Sequence, residues 1–210
     1  MKDVDALKSG WLSDAPERFR ESLLSIGRWH PVAAGTVIYT NGTEEHDLYG
    51  IASGSVRFHI TMNAHEQRVA HVCGPGFWFG EHELLTGTPR IMEIDAPEDT
   101  NLFRVRAADF LKLARTDSDA WRWIGLLSTQ HMALALGAAD DLMLPSAEQR
   151  VIAVLLRLSG RRLAHPASPP LGRILMTQSE TAVAANLSRA SVGTILRNLS
   201  RDGLLAVNYG

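Results

Sequence analysis

The segment from Thr177 to Ser200 constrains the fold most, because it predicts two short helices joined by a sharp turn. The run Thr177–Glu180 (TQSE) is a capping box, in which the first and last side chains satisfy each other's backbone N–H groups. The helix that begins here is predicted to end at Ala185. Asn186 follows it, and asparagine tolerates the left-handed backbone conformation that such a turn requires.

A second helix is predicted over Arg189–Ser200, with Ser188 as its N-cap. Its apolar side chains recur at i, i+3, i+4 and i+7, which gives the helix one face suited to a core. The opposite face is small, hydrogen-bonding or cationic and contains no acid. The apolar face consists of Val192, Ile195, Leu196 and Leu199, and the other face of Arg189, Ala190, Ser191, Gly193, Thr194, Arg197 and Asn198.

This pair of helices predicts a helix-turn-helix that binds double-stranded DNA. A helical face without acids can approach phosphates and base edges in a major groove. Arg189 and Arg197 are the obvious donors, to guanine or to phosphate. An unrelated α-hairpin with a solvated polar face is the alternative. The expected DNA contacts are Thr177, Gln178, Ser188, Arg189, Ala190, Ser191, Thr194 and Arg197.

Charge is distributed unevenly along the chain. Residues 1–145 contain 13 Lys and Arg against 20 Asp and Glu, a net of −7, whereas residues 146–210 contain 8 against 3, a net of +5. A basic C-terminal part behind an acidic N-terminal part predicts a polyanion partner for the C-terminal part. The alternative is a surface asymmetry without a function.

Between Ala34 and Arg106, short β-rich runs alternate with glycines, after a helix predicted from Asp14 to Gly27. Short strands separated by turn residues favour a compact antiparallel barrel or roll. We therefore expect an α+β protein with an N-terminal antiparallel β-roll and a C-terminal winged helix-turn-helix. The expected strands are Thr36–Thr40, Leu48–Ala52, Ser55–Thr61, Arg68–Cys73, Ile91–Ile94 and Leu102–Arg106.

A long helix is predicted from Asp117 or Ser118 to about Asp141, after a short helix over Ala107–Ala114. It is apolar on two sides and must therefore pack on two surfaces. One surface would be the protomer's own roll, and the other a second copy of the same helix, since oligomer contacts are usually two-fold. A helix buried within one monomer is the alternative. The stripe expected at the dimer contact is Trp121, Ile124, Leu127 and Leu134.

Proline cannot continue a helix interior, so Pro145 places a hinge after the long helix. The expected division is a β-roll sensing domain over residues 1–116, a dimerisation helix over 117–141, a hinge over 142–146 and a DNA-binding domain over 147–210. The last domain is expected to contain a helix at Glu148–Leu158, a strand at Arg173–Met176 and a wing strand at Leu204–Val207.

Three short runs resemble known motifs. Leu187–Gly193 is similar to the start of a recognition helix usually written S-R-E-T-V-G-R. Phe79–Glu81 with Gly87–Arg90 is similar to the cassette of cyclic-nucleotide-binding domains, and Tyr49–Val56 to the strand–turn–strand ahead of it. With the order of roll, long helix, hinge and helix-turn-helix, the chain resembles the Crp/Fnr family of transcription regulators (cyclic-AMP receptor protein-like) over nearly its whole length.

The resemblance implies a homodimer that binds a two-fold symmetric operator, with RNA polymerase as a further candidate partner and a small effector bound in the roll. Gly80, Glu81 and Arg90, with Ile91 beside them, would form a site for cyclic AMP or a related nucleotide. Arg90 can donate two parallel hydrogen bonds to a cyclic phosphate, and Glu81 can accept a hydrogen bond from a ribose hydroxyl.

The sequence also departs from the family at these sites. Ile91-Met92 replaces two small residues, and Ala135 and Leu136 replace hydroxyls that contact adenine. These departures leave three alternatives to a nucleotide site: a cassette that only forms turns, a regulator without a ligand, and an unknown small effector. No cofactor is therefore certain. Ala190 and Thr194 replace a glutamate and an arginine of the recognition helix, so we expect an operator unlike the family's best-known half-site.

A haem or metal sensor, or a small-barrel metalloenzyme, is the rival interpretation. Its ligands would come from His59, His65, His71, Cys73, Glu81 and His82. No pair among them has a strong ligand spacing, and no Ser–His–Asp or Cys–His constellation is discernible. We therefore expect no enzyme activity, no catalytic residue and no metal ligand.

The location of the protein follows from its cysteine count and hydropathy. Its single cysteine, Cys73, excludes an internal disulfide and a four-cysteine cluster. No apolar run approaches the roughly 18 residues of a membrane span, and the N-terminus lacks the apolar region of a signal peptide. We expect a cytoplasmic protein without a membrane segment. Because most members of the family continue by a second strand, we also expect that this sequence stops inside the wing.

Overall fold

The strands of the computed structural model, which describes residues 4–61, 67–162 and 169–208, form two four-stranded sheets. They are β1 (Arg28–Val32), β2 (Val37–Tyr39), β3 (Leu48–Ser53), β4 (Val56–Ile60), β5 (Arg68–Cys73), β6 (Trp78–Phe79), β7 (Glu93–Asp95) and β8 (Thr100–Val105). One sheet has the order β1-β8-β3-β6 and the other β2-β7-β4-β5. All the strand pairs are antiparallel, which confirms the predicted roll.

Side chains that alternate along the strands fill the roll. In β4, Val56 and Phe58 are buried while Arg57 between them is half-buried, as expected for successive side chains on opposite faces of a sheet. The resulting core is rich in aromatic rings. It contains Val32, Tyr39, Tyr49, Ile51, Val56, Phe58, Cys73, Phe77, Phe79, Ile94, Ala96 and Leu102.

The sequence pattern did not predict β1 or β6. In β1, Pro31 pairs with Asn101 of β8, and the strand lies at the edge of its sheet. Proline lacks a backbone N–H. It is tolerated in an edge strand, because no second neighbouring strand needs a hydrogen bond from that position. A proline inside a short run therefore masked a real strand.

The helices around the roll are α1 (Val4–Leu7), a 3₁₀ helix (Gly10–Asp14), α2 (Glu17–Ile26), α3 (Glu81–Thr86), α4 (Ala107–Thr116) and α5 (Ala120–Met143). Asp14 ends the 3₁₀ helix, and Pro16 is the N-cap of α2, so the predicted cap at Asp14 was wrong. Trp11 of the 3₁₀ helix is fully buried, and its indole N–H donates to the Trp123 carbonyl at 2.7 Å. This contact fixes the N-terminal segment onto α5.

The long helix α5 packs mainly against its own protomer. Ile124 and Leu127 are fully buried in the core beneath it, and Leu134 is partly buried against the aromatic core of the roll. Ile124 and Leu127 have no surface left for a partner, so the assignment of these two residues to a dimer contact is corrected. Trp121 remains at the surface, where its ring meets Phe110 edge-on with the centroids 5.2 Å apart.

The C-terminal helices are α6 (Ala147–Leu158), α7 (Gln178–Ala184) and α8 (Arg189–Arg201). They enclose a small apolar core that includes Val151, Val154, Leu158, Ala182 and Val192. The strands predicted at Arg173–Met176 and Leu204–Val207 are absent from the described residues. Ile174 and Met176 of the first segment, and Leu205 and Val207 of the second, instead pack against the α6–α8 core without a partner strand.

Ion pairs join the C-terminal helices to the rest of the molecule. The fully buried Asp141, near the end of α5, accepts from Arg157 Nε of α6 at 2.8 Å and from Arg162 Nε at 3.1 Å. Arg57 of β4 pairs with Asp95 and reaches Glu180 of α7 at 3.4 Å. The carboxylate of Asp141 therefore connects the long helix to the helices that follow it.

Candidate DNA-binding surface and effector site

The turn between α7 and α8 forms as the sequence predicts. The Thr177 hydroxyl accepts from the Glu180 backbone N–H at 3.1 Å, and Glu180 accepts from the Thr177 N–H at 2.6 Å, which completes the capping box. Asn186 has φ +50°, in the left-handed region. Ser188 caps α8 by accepting from the Ser191 N–H at 3.1 Å. Thr177 and Ser188, which we expected to contact DNA, thus use their hydroxyl oxygens to cap the helices.

The helix α8 has one buried and one exposed face. Val192, Leu196 and Leu199 are buried, with Ile195 partly buried beside them, as the stripe predicted. The exposed side chains are Arg189, Ala190, Ser191, Thr194, Arg197, Ser200 and Arg201, and none is acidic. The helix therefore presents a neutral and cationic surface to solvent.

Two of the three arginines of this surface, Arg189 and Arg197, have few internal partners for their N–H donors, whereas Arg201 pairs with Asp202 at 3.5 Å. Arg197 Nη2 donates to the neutral Thr194 hydroxyl at 3.0 Å, and no ion pair within the described residues involves Arg189 or Arg197. Gly193 allows Gln178 of α7 to lie against α8, because a Cβ at Gly193 would come within 3.2 Å of Gln178 Oε1. The positive end of the α8 dipole adds to the charge of Arg189.

The predicted effector cassette forms a tight turn around a buried arginine. Gly80 has φ +100°, and a Cβ there would collide with the Asp47 carbonyl oxygen, so only glycine fits. Arg90 is buried. Its Nη1 donates to Glu83 Oε2 at 2.7 Å, and its Nη2 donates to the Asp47 carbonyl at 2.7 Å. The guanidinium also lies 4.0 Å from the centroid of the Tyr39 ring.

Glu81 is paired with the long helix. Its Oε1 lies 2.7 Å from Nδ1 of His131 on α5, and the His131 ring stacks on Phe77 with a centroid distance of 4.7 Å. Burial alone would raise the pKa of Glu81, but the charge and hydrogen bond of His131 hold that pKa below its usual value. The carboxylate expected to receive a ribose hydroxyl already has an internal donor.

Ile91 does not fill the roll. Ile91, which we expected beside the effector site, is 46% exposed, and only Met92 packs, partly buried, on the aromatic core. The rings of Tyr39, Tyr49 and Phe79 cluster there instead, with centroids 5.3 to 6.2 Å apart. Aromatic side chains of the strands therefore occupy the inside of the roll next to Arg90.

The histidines of the roll do not form a metal site in the part of the chain that the structure describes: no group of three His, Cys, Asp or Glu side chains is placed to hold an ion there. His59 pairs with Asp95 at 2.7 Å, and Cys73 is buried. Burial lowers the pKa of His71 to about 3, helped by the charges of Arg157 and His131, so this ring is neutral at physiological pH. The candidate ligand His65 lies outside the described residues.

Sequence reasoning missed three residues of the cassette, namely Glu83, His131 and the backbone of Asp47. Glu83 stands seven positions before Arg90, and His131 and Asp47 are more than forty residues from their partners. The one available signal was a second acid, Glu83, two positions after Glu81 and directly before Leu84-Leu85. Separately, no helix among the described residues has the length and apolar character needed to span a membrane.

Residues 29–117 match the cyclic nucleotide-binding domain family. The chain is 31% identical to the cyclic AMP receptor protein of Thermus thermophilus over 176 residues, which are 84% of this chain and 78% of that protein. It is 23% identical to the anaerobic regulatory protein of Bacillus subtilis, over 90% of this chain and 79% of that protein.

Solved structures agree with these matches. The catabolite activator protein of T. thermophilus is 26% identical, with a TM-score of 0.55 and coverage of 95% of this chain and 90% of that one. FixK2 from Bradyrhizobium japonicum has the same fold, with a TM-score of 0.71, 20% identity and coverage of 88% and 90%. Together, the matched domain, the relatives and the fold show that this chain belongs to the Crp/Fnr family of transcription regulators.

Proposed function

We propose that this regulator binds double-stranded DNA in a sequence-specific manner, with α8 as the helix that enters the major groove. The observation that carries the proposal is the exposed face of α8, which has three arginines and no acid. Arg189 stands in its first turn, and the N-terminal residues of a recognition helix are the ones that contact base edges. The opposite face of α8 is anchored in the C-terminal core, so the helix is presented on a rigid support.

We assign different roles to the eight predicted contact residues. Arg189 and Arg197 donate to guanine or phosphate, and Thr194, with the small Ala190, allows a close approach to base edges. Thr177, Gln178, Ser188 and Ser191 lie at the N-termini of α7 and α8, where the positive ends of the helix dipoles favour phosphate.

The regulator acts as a homodimer in this proposal. Met132 and Leu136 lie one helical turn apart on α5 and are 58% and 63% exposed. Large apolar side chains at i and i+4 form a continuous strip that a second copy of α5 can cover. Trp121 lies at the surface nearer the start of α5. Two recognition helices would then reach successive major grooves, roughly 34 Å apart.

Domain roles follow from this arrangement. Residues 1–116 form the sensing roll, 117–141 the dimerisation helix, 142–146 the hinge and 147–210 the DNA-binding domain. Effector control acts through the roll and α5, and any effector changes DNA affinity only as far as it favours one dimer arrangement over the other. Because DNA and RNA polymerase are its partners in this proposal, we place the protein in the cytoplasm.

Selection of bound duplexes from a random DNA pool tests the proposal. We expect the wild type to enrich a two-fold symmetric sequence, and the double variant Arg189→Ala/Arg197→Ala to enrich none. Arg115→Ala is the matched control, because Arg115 is an exposed arginine on α4, in the other half of the molecule. Enrichment of the same sequence by the double variant would reject α8 as the recognition helix.

A charge in the exposed strip of α5 tests the dimer separately. Leu136→Glu places a carboxylate where the second copy would pack, so we expect a monomer by light scattering after size exclusion. Glu148→Gln, at an exposed position of α6, is the control and should leave the mass of the dimer unchanged. A monomeric wild type at micromolar concentration would contradict the proposed contact.

A further inference from the structure

Arg90 is the one buried lysine or arginine among the described residues of the matched domain, so an anion inside the roll would depend on it. Its guanidinium already faces the Glu83 carboxylate at 2.7 Å, and the side chains are 0% and 5% exposed. Glu83 Oε1 also accepts from the Ile91 backbone N–H at 3.3 Å. The site therefore contains its own anion, and the two charges cancel.

A cyclic nucleotide would have to compete with Glu83. Its phosphate carries one negative charge and is best held by both arms of a guanidinium fork. The Nη1 of Arg90 donates to Glu83 and the Nη2 to the Asp47 carbonyl. Of the three guanidinium nitrogens, only Nε has no hydrogen-bond partner among the described residues. Displaced from Arg90, the Glu83 carboxylate would be buried without a counter-ion, which is strongly unfavourable.

The second polar anchor of the cassette is occupied as well. Glu81 is buried and pairs with His131 at 2.7 Å, while Phe77 covers the other side of the imidazole. A ribose hydroxyl would have to replace a contact that connects the cassette to α5. Both charged side chains available for a nucleotide are thus satisfied within the chain.

We propose that Glu83 is a specificity-determining residue of the effector site, whose carboxylate takes the place of a nucleotide phosphate at Arg90. The wild-type roll therefore excludes cyclic nucleotides, and binding of DNA does not need them. The statement about DNA rests on the function proposed above, whereas the exclusion of nucleotides does not.

Calorimetric titration of the full chain with cyclic AMP and cyclic GMP tests the proposal. We compare the wild type with Glu83→Gln, which removes the charge and keeps the shape, and with Glu83→Ala, which also opens space. Glu44→Gln is the matched control, because Glu44 is an exposed acid of the same domain. We expect no saturable heat from the wild type or from Glu44→Gln. A Glu83 variant should bind one nucleotide at least tenfold more tightly than the weakest binding that the wild-type titration could detect.

Nucleotide-dependent changes in Tm provide a second measurement on the same proteins, with circular dichroism as the test of folding. Saturable binding of either nucleotide to the wild type would overturn the proposal. So would folded Glu83 variants that bind no better than the wild type. Failure of the wild type to bind any DNA would reject the proposed function and leave the calorimetric result standing, so the two failures are distinguishable.

Discussion

The cassette around Arg90 and the exposed face of α8 use similar side chains in opposite ways. Arg90 is buried and has a carboxylate, a carbonyl and an aromatic ring as partners. Arg189 is exposed, and no ion pair within the described residues involves it. An arginine whose hydrogen bonds and ion pairs are formed within the protein stabilises the fold. An arginine that is exposed and has no acidic partner remains available to an external anion. The partners of an arginine, and not its presence in a motif, therefore decide its role.

The largest expected effect comes from breaking the buried pair. Arg90→Ala leaves the Glu83 carboxylate buried without its counter-ion, so we expect a loss of about 3–5 kcal/mol in the free energy of unfolding. Urea denaturation followed by circular dichroism measures it. The double variant Arg90→Met/Glu83→Leu should recover most of that loss, and Arg115→Ala should change nothing measurable. A loss below about 1 kcal/mol for Arg90→Ala would show that the pair is not structural.

The exposed arginine should behave in the opposite way. Arg189→Ala is expected to weaken binding to the selected operator by about 1–3 kcal/mol and to relax one base preference, with the unfolding free energy unchanged. Titration of the operator and of single-base variants, followed by fluorescence anisotropy, measures both effects. An equal loss on all DNA sequences would identify Arg189 as a phosphate contact only.

The N-cap residue of α8, Ser188, is exposed, yet it supports the helix that carries Arg189. Ser188→Ala removes the acceptor for the Ser191 N–H, so we expect the free energy of unfolding to fall by about 1 kcal/mol. Ser188→Asp is the matched control, since aspartate also caps a helix. A drop in DNA affinity for Ser188→Ala without any loss of stability would show that the hydroxyl contacts DNA directly.

The smallest expected effect belongs to an exposed ion pair. Arg173 Nη2 lies 2.5 Å from Glu98 Oε2, and the Arg173 side chain is largely exposed. Such pairs contribute about 0–1 kcal/mol and are screened by salt, so Arg173→Ala should change stability by less than about 1 kcal/mol. Denaturation at low and high ionic strength measures it, and a large loss that persists at high salt would contradict the expectation.

Local signals made the helix-turn-helix predictable. The capping box at Thr177, the turn at Asn186 and the N-cap at Ser188 each depend on residues within four positions, and all three form. The apolar stripe of α8 likewise follows from its own periodicity. The positions of the strands β2 to β5 along the chain were predicted for the same reason, since each run shows its own β-rich composition.

The partners of the cassette could not be read in the same way. Nothing near Glu81 in the sequence indicates His131, because that contact depends on how α5 crosses the roll. The long helix raised a related ambiguity: its periodicity shows two apolar sides but not which of them faces its own core. Ile124 and Leu127 were therefore assigned to the partner, whereas Met132 and Leu136 form the side that remains exposed.

The fully buried carboxylate of Asp141 has a mechanical consequence. It forms ion pairs with Arg157 of α6 and with Arg162 after that helix. These ion pairs connect residues before and after Pro145, where the helix is interrupted. These ion pairs therefore restrict the rotation of α6 relative to α5. A small rotation of α5 about its axis would move the helices α6 to α8 with it. In the proposed dimer, the distance between the two recognition helices would then change without any bending at Pro145.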